Sequence, residues 1–260
     1  VAFETLMVQR SVADYADFLV PYLDLDAQVL DVGCGEGSLT VGLAPMVRHV
    51  TGVDAEADFA DATAYAAAQG IDNVEFRRGD AYTLDFPDAG FDACLCHSVL
   101  EALDRPADAL REMRRTLRPG GVLAAACVEY GGLVLAGPGY DLIRRFYQIR
   151  ERLWLLTDSA DPYRGRALRG LMNAAGFVDV VASSTYRCYG TEETVRSFGS
   201  GRAADCHDDW YAGMAVHHGL ATPDDLDAME RAWLEWSHAP DAYAAFAWCR
   251  VVGRRPIDGS

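Results

Sequence analysis

The run from Val29 to Ser38 gathers residue types suited to holding a nucleotide-like ligand. An apolar, strand-like stretch ends in Asp31 and Val32. It enters a turn rich in glycine (Gly33, Gly35, Gly37), and a helix-like stretch leaves that turn at Ser38. Glycines there permit positive φ and let a ligand approach the backbone closely, while the helix's first turn offers unpaired N–H groups to polar or anionic atoms. Two more acids follow at strand-like ends. Asp54 closes the stretch from Val50, where a carboxylate can accept hydrogen bonds from both hydroxyls of a ribose. Asp80, between Gly79 and Ala81, is placed to take an exocyclic amine of a base. The next apolar stretch, from Phe91, ends at His97. Histidine titrates near neutrality, which makes His97 a candidate general base; Glu101, one turn on, reads better as support for the following loop.

Two details separate this loop from a dinucleotide fingerprint. That fingerprint needs G-x-G-x-x-G, and here Ser38 holds the third glycine's place, with Gly37 one position early. Asp31 also stands immediately before the turn, where its charge would repel a pyrophosphate and would suit an ammonium group. S-adenosylmethionine has an amino-acid end, a ribose, an adenine and a sulfonium, and no phosphate, so its chemistry matches the residues present.

The elements that must carry these groups alternate. Helical patterns are expected over 11–23, 38–44, 58–69 (stopped by Gly70) and from Pro106 to the turn at Pro119, Gly120 and Gly121. Strands are expected over 28–32, 49–53, 74–77, 91–96 and 122–128. Strands joined by helical crossovers demand a mostly parallel sheet covered on both faces, and the right-handed crossover rule leaves a doubly wound α/β architecture. Beyond Gly132 the pattern changes: helices over 140–156 and 165–175, strands over 177–189 and 246–252, and between these an insert over about 191–239. That insert holds a well-marked helix with Thr222 as N-cap and Pro223 in its first turn. An insert of this length beside a sheet suits a lid, a binding surface or an oligomer contact.

Taken in order and at this spacing, the motifs resemble the class I, Rossmann-like methyltransferase family that uses S-adenosylmethionine. More narrowly they are similar to the branch with the ubiquinone and menaquinone biosynthesis enzymes and small-molecule methyltransferases. The resemblance covers about Val29 to Val128. It implies seven strands with the last antiparallel, placed beside the fifth and sixth; the insert between the last two strands is expected, from its own pattern, to form a helical lid. The chain is expected to form one methyltransferase domain over 1–260, with a cofactor half at about 11–131 and substrate or lid elements at about 137–175 and 191–239, a region on which the resemblance is silent. The resemblance further implies that Asp31, Gly33, Cys34, Gly35, Asp54, Ala55, Asp80, Ala81 and His97 line the cofactor pocket, with His97 more often a cofactor contact than a base in such enzymes.

Composition narrows the partners. The formal net charge is −16, whereas nucleic-acid binders rely on basic faces for phosphate contacts. At the end of the fourth strand the sequence reads His97, Ser98, Val99, Leu100 rather than an Asn/Asp-Pro-Pro-aromatic motif, so transfer to an exocyclic amine of a nucleic acid or to a protein amide is unsupported. No lysine occurs, which excludes Schiff-base and P-loop lysine chemistry. Seven scattered cysteines with no C-x-x-C argue against a disulfide scaffold or zinc ribbon. No apolar run approaches the roughly 20 residues that span a bilayer, and 1–20 does not read as a signal peptide, so a cytoplasmic enzyme of a small molecule is expected.

Past the motifs, Tyr147, Arg150, Trp154 and Tyr186 are candidates for a substrate pocket, although aromatics at helical spacing are more often core. His207, Asp208, Asp209, His217 and His218 form a cluster of metal-ligand types whose spacing matches no signature; Asp208 reads better as a helix start, and no metal is expected. Two alternatives stay open: a methyltransferase-like protein that binds the cofactor but catalyses another reaction such as a cyclisation, and a nicotinamide oxidoreductase, which the glycine spacing disfavours. The sequence leaves the acceptor atom and the oligomeric state undetermined.

Overall fold

The computed structural model describes residues 10–157 and 160–257. Its seven strands are β1 (Gln28–Val32), β2 (His49–Asp54), β3 (Val74–Arg78), β4 (Phe91–His97), β5 (Leu117–Ala136), β6 (Val178–Tyr189) and β7 (Tyr243–Arg254). They form one sheet in the order β3-β2-β1-β4-β5-β7-β6. The first five pair in parallel, with Val29 opposite Val50 and Ala93, and Cys94 opposite Leu123. The last strand lies between the fifth and sixth, as the family resemblance implies.

Contacts divide the chain into two compact units. The first comprises Val1–Cys127, Arg164–Ser183 and Cys249–Ser260; the second comprises Val128–Tyr163 and Ser184–Trp248.

In the first unit the strands are apolar on both faces, because both are covered. Leu30, Val32, Cys94, Cys96, Leu123 and Ala125 turn to one side, where α4 (Pro106–Thr116) and α6 (Leu168–Ala174) pack with Leu110, Met113 and Met172. Val29, Val50, Ala93, Leu95, Val122 and Ala124 turn to the other, against α1 (Val12–Tyr15) and α2 (Ser38–Leu43). Cys94 and Cys96 share a face, and burial pushes both thiols well up, so they serve as packing. A third helix, α3 (Ala60–Ala68), sets Ala62 and Ala66 against Val41.

Two expectations for this unit need correction. The helix expected over 11–23 is only α1 plus a 3-10 turn at Val20–Tyr22. The helix stops at Ala16, whose backbone leaves the helical region (φ −131°), and Pro21 lies within the later 3-10 turn, where its missing N–H is tolerated in the first turn. The strand expected over 122–128 runs from Leu117 to Ala136. Pro119, Gly120 and Gly121 are absorbed as a register shift, with Phe91 opposite Leu117 and then Ala93 opposite Val122. The Gly120 N–H donates to Arg255 O (2.9 Å) and the Arg255 N–H to Gly121 O (2.8 Å), so the extra residues pair with the end of the chain.

The second unit is helical around parts of β5, β6 and β7. Its helices are α5 (Tyr140–Thr157), α7 (Glu192–Asp205), α8 (Met214–His217) and α9 (Pro223–Trp236). Thr191 and Thr222 cap α7 and α9 with reciprocal capping boxes, which fixes both starts. Phe146, Tyr147, Leu153, Tyr211, Met229, Trp233 and Trp236 form its buried centre. A single π-helical turn, Asp209–Gly213, precedes α8. None of the described helices is long and apolar enough to cross a membrane.

Candidate cofactor site and family

β1 delivers Asp31 to the start of the glycine turn, almost wholly buried. The Thr40 hydroxyl, from the first turns of α2, donates to its Oδ2 (2.7 Å). Burial raises the Asp31 pKa to about 6, partly offset by that hydrogen bond and by the positive charge of Arg10. The carboxylate is thus held ionised near neutrality at a cost that a cationic ligand group would relieve.

The turn itself is tied to β2. The N–H groups of Gly33 and Cys34 both donate to Val53 O (2.7 and 3.1 Å). Gly33 and Gly35 take φ of +73° and +54° for different reasons. A Cβ on Gly33 would fall 2.1 Å from Val99 Cγ2, so this glycine is demanded by packing. A Cβ on Gly35 would meet nothing within 4 Å, so this one faces open space. That open face is where a ligand could lie along the backbone.

Asp54, at the end of β2, is fixed by three backbone donors. Its Oδ2 accepts from Gly35 N–H (3.0 Å), and its Oδ1 from Glu56 and Ala57 N–H (3.0 and 3.1 Å). Oδ1 is thereby saturated and Oδ2 retains one acceptor site, and the group is only half-buried. Asp80, exposed after β3, accepts from Tyr82 N–H (2.8 Å) in a tight turn, and Ala81 packs half-buried against the core. Ala55 is exposed and Cys34 half-buried; burial pushes the Cys34 thiol far up, leaving it neutral. The structure therefore gathers Asp31, Gly33, Cys34, Gly35, Asp54 and Ala55 at the carboxyl ends of β1 and β2, and sets Asp80 and Ala81 just beyond β3.

His97 closes β4 and is buried. Burial first, then the charges of Arg10 and Arg250, lower its pKa to about 3. Its Nδ1 lies 3.2 Å from Arg10 Nη2. A guanidinium only donates, so Nδ1 accepts and the neutral ring carries its proton on Nε2. Tyr15 packs edge-on against it at 5.3 Å. Ser98, next in the chain, has φ +64°, a backbone strain that tends to occur at functional sites.

Sequence reasoning missed Arg10, Thr40, Ser98 and Val99. Thr40 carries a faint signal, lying nine residues beyond Asp31 in the helix that follows the turn. Arg10 carries none, since it reaches the site across 87 residues of chain.

In the second unit, Tyr147, Arg150 and Trp154 come together: the Arg150 guanidinium lies over Trp154 (5.8 Å), and Tyr130 touches the rings of Tyr147 (6.0 Å) and Trp154 (4.8 Å). Tyr186 is 49% exposed on β6 and stands outside that buried cluster. The His/Asp cluster is divided among other tasks. His207 pairs with Glu230 (3.0 Å), Asp208 caps the π-helical turn through Tyr211 N–H, and His217 and His218 contact each other. Among the described residues no group of three or more metal-ligating side chains is placed to hold an ion.

A methyltransferase-domain family model matches residues 30–125, the stretch that builds the turn and the first strands. An uncharacterized methyltransferase of Schizosaccharomyces pombe is 33% identical over 198 residues, 68% of this chain and 66% of its own length. A ubiquinone biosynthesis O-methyltransferase of Maricaulis maris is 36% identical over 104 residues, 39% of this chain and 41% of its own. The chain thus spans less than two-thirds of these curated relatives. The crystal structure of the YcgJ protein from Bacillus subtilis superposes with a TM-score of 0.61 at 17% identity, covering 92% of this chain and 97% of that one, which shows the fold. The chain belongs to the class I, Rossmann-like family of S-adenosylmethionine-dependent methyltransferases.

Proposed function

We propose that the protein binds S-adenosylmethionine at the carboxyl ends of β1 and β2 and transfers its methyl group to a small organic acceptor. The observation that carries this reading is the set formed by the open face of Gly35, the Asp54 carboxylate held by three backbone N–H groups, and buried Asp31. Asp54 is placed to accept a ribose hydroxyl on Oδ2, the oxygen that keeps a free acceptor site. Asp31 supplies negative charge to the amino-acid end, and Arg10 supplies positive charge beside it. The Arg10 Nε is buried with no hydrogen-bond partner, as expected of a donor kept for a ligand carboxylate. Asp80 and Ala81 lie where the adenine would end.

When bound, the cofactor supplies a methyl group on sulfonium, which moves by in-line displacement. The chain's task is then alignment and exclusion of water, and orientation alone is worth several kcal/mol, on the order of 7 or more in favourable cases. His97 acts here as a neutral positioning residue, its Nδ1 holding Arg10; at pH 7 it is too weak a base to deprotonate an acceptor. An acceptor that arrives ionised needs no base. The second unit, with Tyr147, Arg150 and Trp154, is where acceptor selection is proposed to reside, consistent with small-molecule and quinone-type relatives of this family.

Calorimetric titration with S-adenosylhomocysteine, run beside NADH, tests the reading. Binding of the former alone is expected, weakened at least about tenfold, or about 1.4 kcal/mol, in Asp54→Ala. Binding of NADH alone, or of neither, would overturn it. A cyclase-like protein would bind S-adenosylhomocysteine equally well but leave S-adenosylmethionine unconsumed across an acceptor screen.

A further inference from the structure

The second unit contains a group of buried donors that the protein itself does not satisfy. Tyr147 Oη, Trp233 Nε1, Arg150 Nε and Arg202 Nε are all buried without a hydrogen-bond partner, and Tyr147 and Trp233 are at most 1% exposed. They are neighbours. The Tyr147 and Trp233 rings stand 5.9 Å apart, Phe198 lies 5.8 Å from Trp233, and the Arg202 guanidinium lies over Phe198 at 5.6 Å. Arg150 and Arg202 meet at one carboxylate oxygen, Asp205 Oδ2, at 2.5 and 3.0 Å. Two guanidiniums thus share one acid within an aromatic enclosure, each keeping an Nε donor unpaired.

Leaving a buried donor unpaired is costly, and natural interiors keep such groups few. Four together, all able to donate and three of them unable to accept, call for an acceptor-rich, negatively charged partner. The surrounding rings call for a flat apolar body. Arg150 already lies over four of them, Phe146, Trp154, Trp210 and Tyr211, at 5.3–5.8 Å. Trp210 and Tyr211 sit on the π-helical turn, a distortion that recurs at functional sites.

We infer that this cluster of Tyr147, Trp233, Arg150 and Arg202 is a binding site for an aromatic oxyanion, a planar ring bearing a carboxylate or phosphate, as the acceptor of the proposed methyl transfer. The inference rests on the acceptor-selecting role given above to the second unit. The guanidinium edges and the tyrosine and indole donors take the anionic group, and the rings take the body.

The tryptophans make the test local. All five in the chain, Trp154, Trp210, Trp233, Trp236 and Trp248, belong to the second unit, so intrinsic fluorescence reports on this region, while calorimetry with S-adenosylhomocysteine reports on the cofactor loop. Benzoate, phenyl phosphate and benzyl alcohol are titrated into the full chain. Saturable quenching by either anion and not by the alcohol is expected, and the stronger anion identifies the headgroup. Arg202→Gln should weaken that response at least about tenfold with S-adenosylhomocysteine binding unchanged. Tyr147→Phe guards against a folding artefact: removing an unpaired hydroxyl should keep or raise Tm while weakening the anion, whereas a merely structural hydroxyl would lower Tm and leave binding alone. No response to either anion, or equal response to the alcohol, would overturn the inference. Normal S-adenosylhomocysteine binding in that case would leave the cofactor reading standing.

Discussion

Asp31 and His97 lie close to the same guanidinium, that of Arg10, and burial displaces their pKa values in opposite directions. Asp31, raised to about 6, favours the folded state fully below its ordinary value near 3.8, and that contribution is lost as pH rises through 6. His97, lowered to about 3, favours the folded state above its ordinary value of 6.5 and loses that contribution as pH falls towards 3. Between about pH 4 and 6 the two slopes oppose each other. Chemical denaturation of the ligand-free protein across this window should therefore show Asp31→Asn gaining stability with rising pH and His97→Gln losing it, with the parent flatter than either. Cofactor affinity has its own signature: S-adenosylhomocysteine should bind more weakly as pH drops through 6 and Asp31 protonates, and Asp31→Asn should abolish that dependence. Asp31 and Asp54 were legible in the sequence because each ends a strand beside a glycine or an acidic turn. Arg10 was not, because one arginine in an undistinguished segment is recruited only by the fold.

At the scale of the element, the glycine turn separates folding from binding within three residues. Gly33→Ala drives a methyl group into Val99 and holds alanine at φ +73°, which together cost about 3 kcal/mol. Gly35→Ala meets no atom and carries only the left-handed penalty, about 1 kcal/mol, yet it places a methyl group where the ligand is proposed to pass. Thermal melts and calorimetry on the two variants should diverge: Gly33→Ala chiefly loses Tm, Gly35→Ala chiefly loses affinity. Equal loss of both in the two variants would mean that the open face at Gly35 is not used. Sequence pattern located nearly every strand, since runs such as Val29–Leu30 and Cys94–Cys96 are apolar on both faces. It failed where local punctuation was overruled by distant pairing. Pro119, Gly120 and Gly121 read as a turn, yet they enter β5 because Arg255 supplies their hydrogen bonds.

For the whole molecule, a net charge of −16 is spread over a chain whose only basic residues are arginines. Many of these are spent in exposed pairs such as Arg105–Asp108, Arg111–Asp108 and Arg196–Glu192, each worth about 1 kcal/mol or less. Uncompensated acids repel one another across the surface, and salt shortens the reach of that repulsion to about 8 Å at physiological strength. Raising sodium chloride from about 0.01 to 0.15 M should thus raise Tm, the relief of repulsion exceeding the loss of weak surface pairs; a fall in Tm would show that those pairs matter more than the excess charge. The division into two units was not legible beforehand. The segment 164–183 carries a helix and a strand start that look like a continuation of what precedes them, and only the packing of Leu168, Met172 and Phe177 assigns it to the first unit.

The place of β7 ties the order of synthesis to the integrity of the sheet. Among the described strands it is the last to leave the ribosome, yet it lies inside the sheet, between β5 and β6. The glycine turn, Asp54 and His97 are all translated long before it. Until Tyr243–Arg254 emerges, β5 waits with one side unpaired and β6 has no neighbour, two open edges of the kind that recruit strands from other chains. A nascent chain stalled short of Tyr243 would carry every ligand-binding motif and still be the aggregation-prone form, which makes the final strand the step at which the protein becomes safe to release.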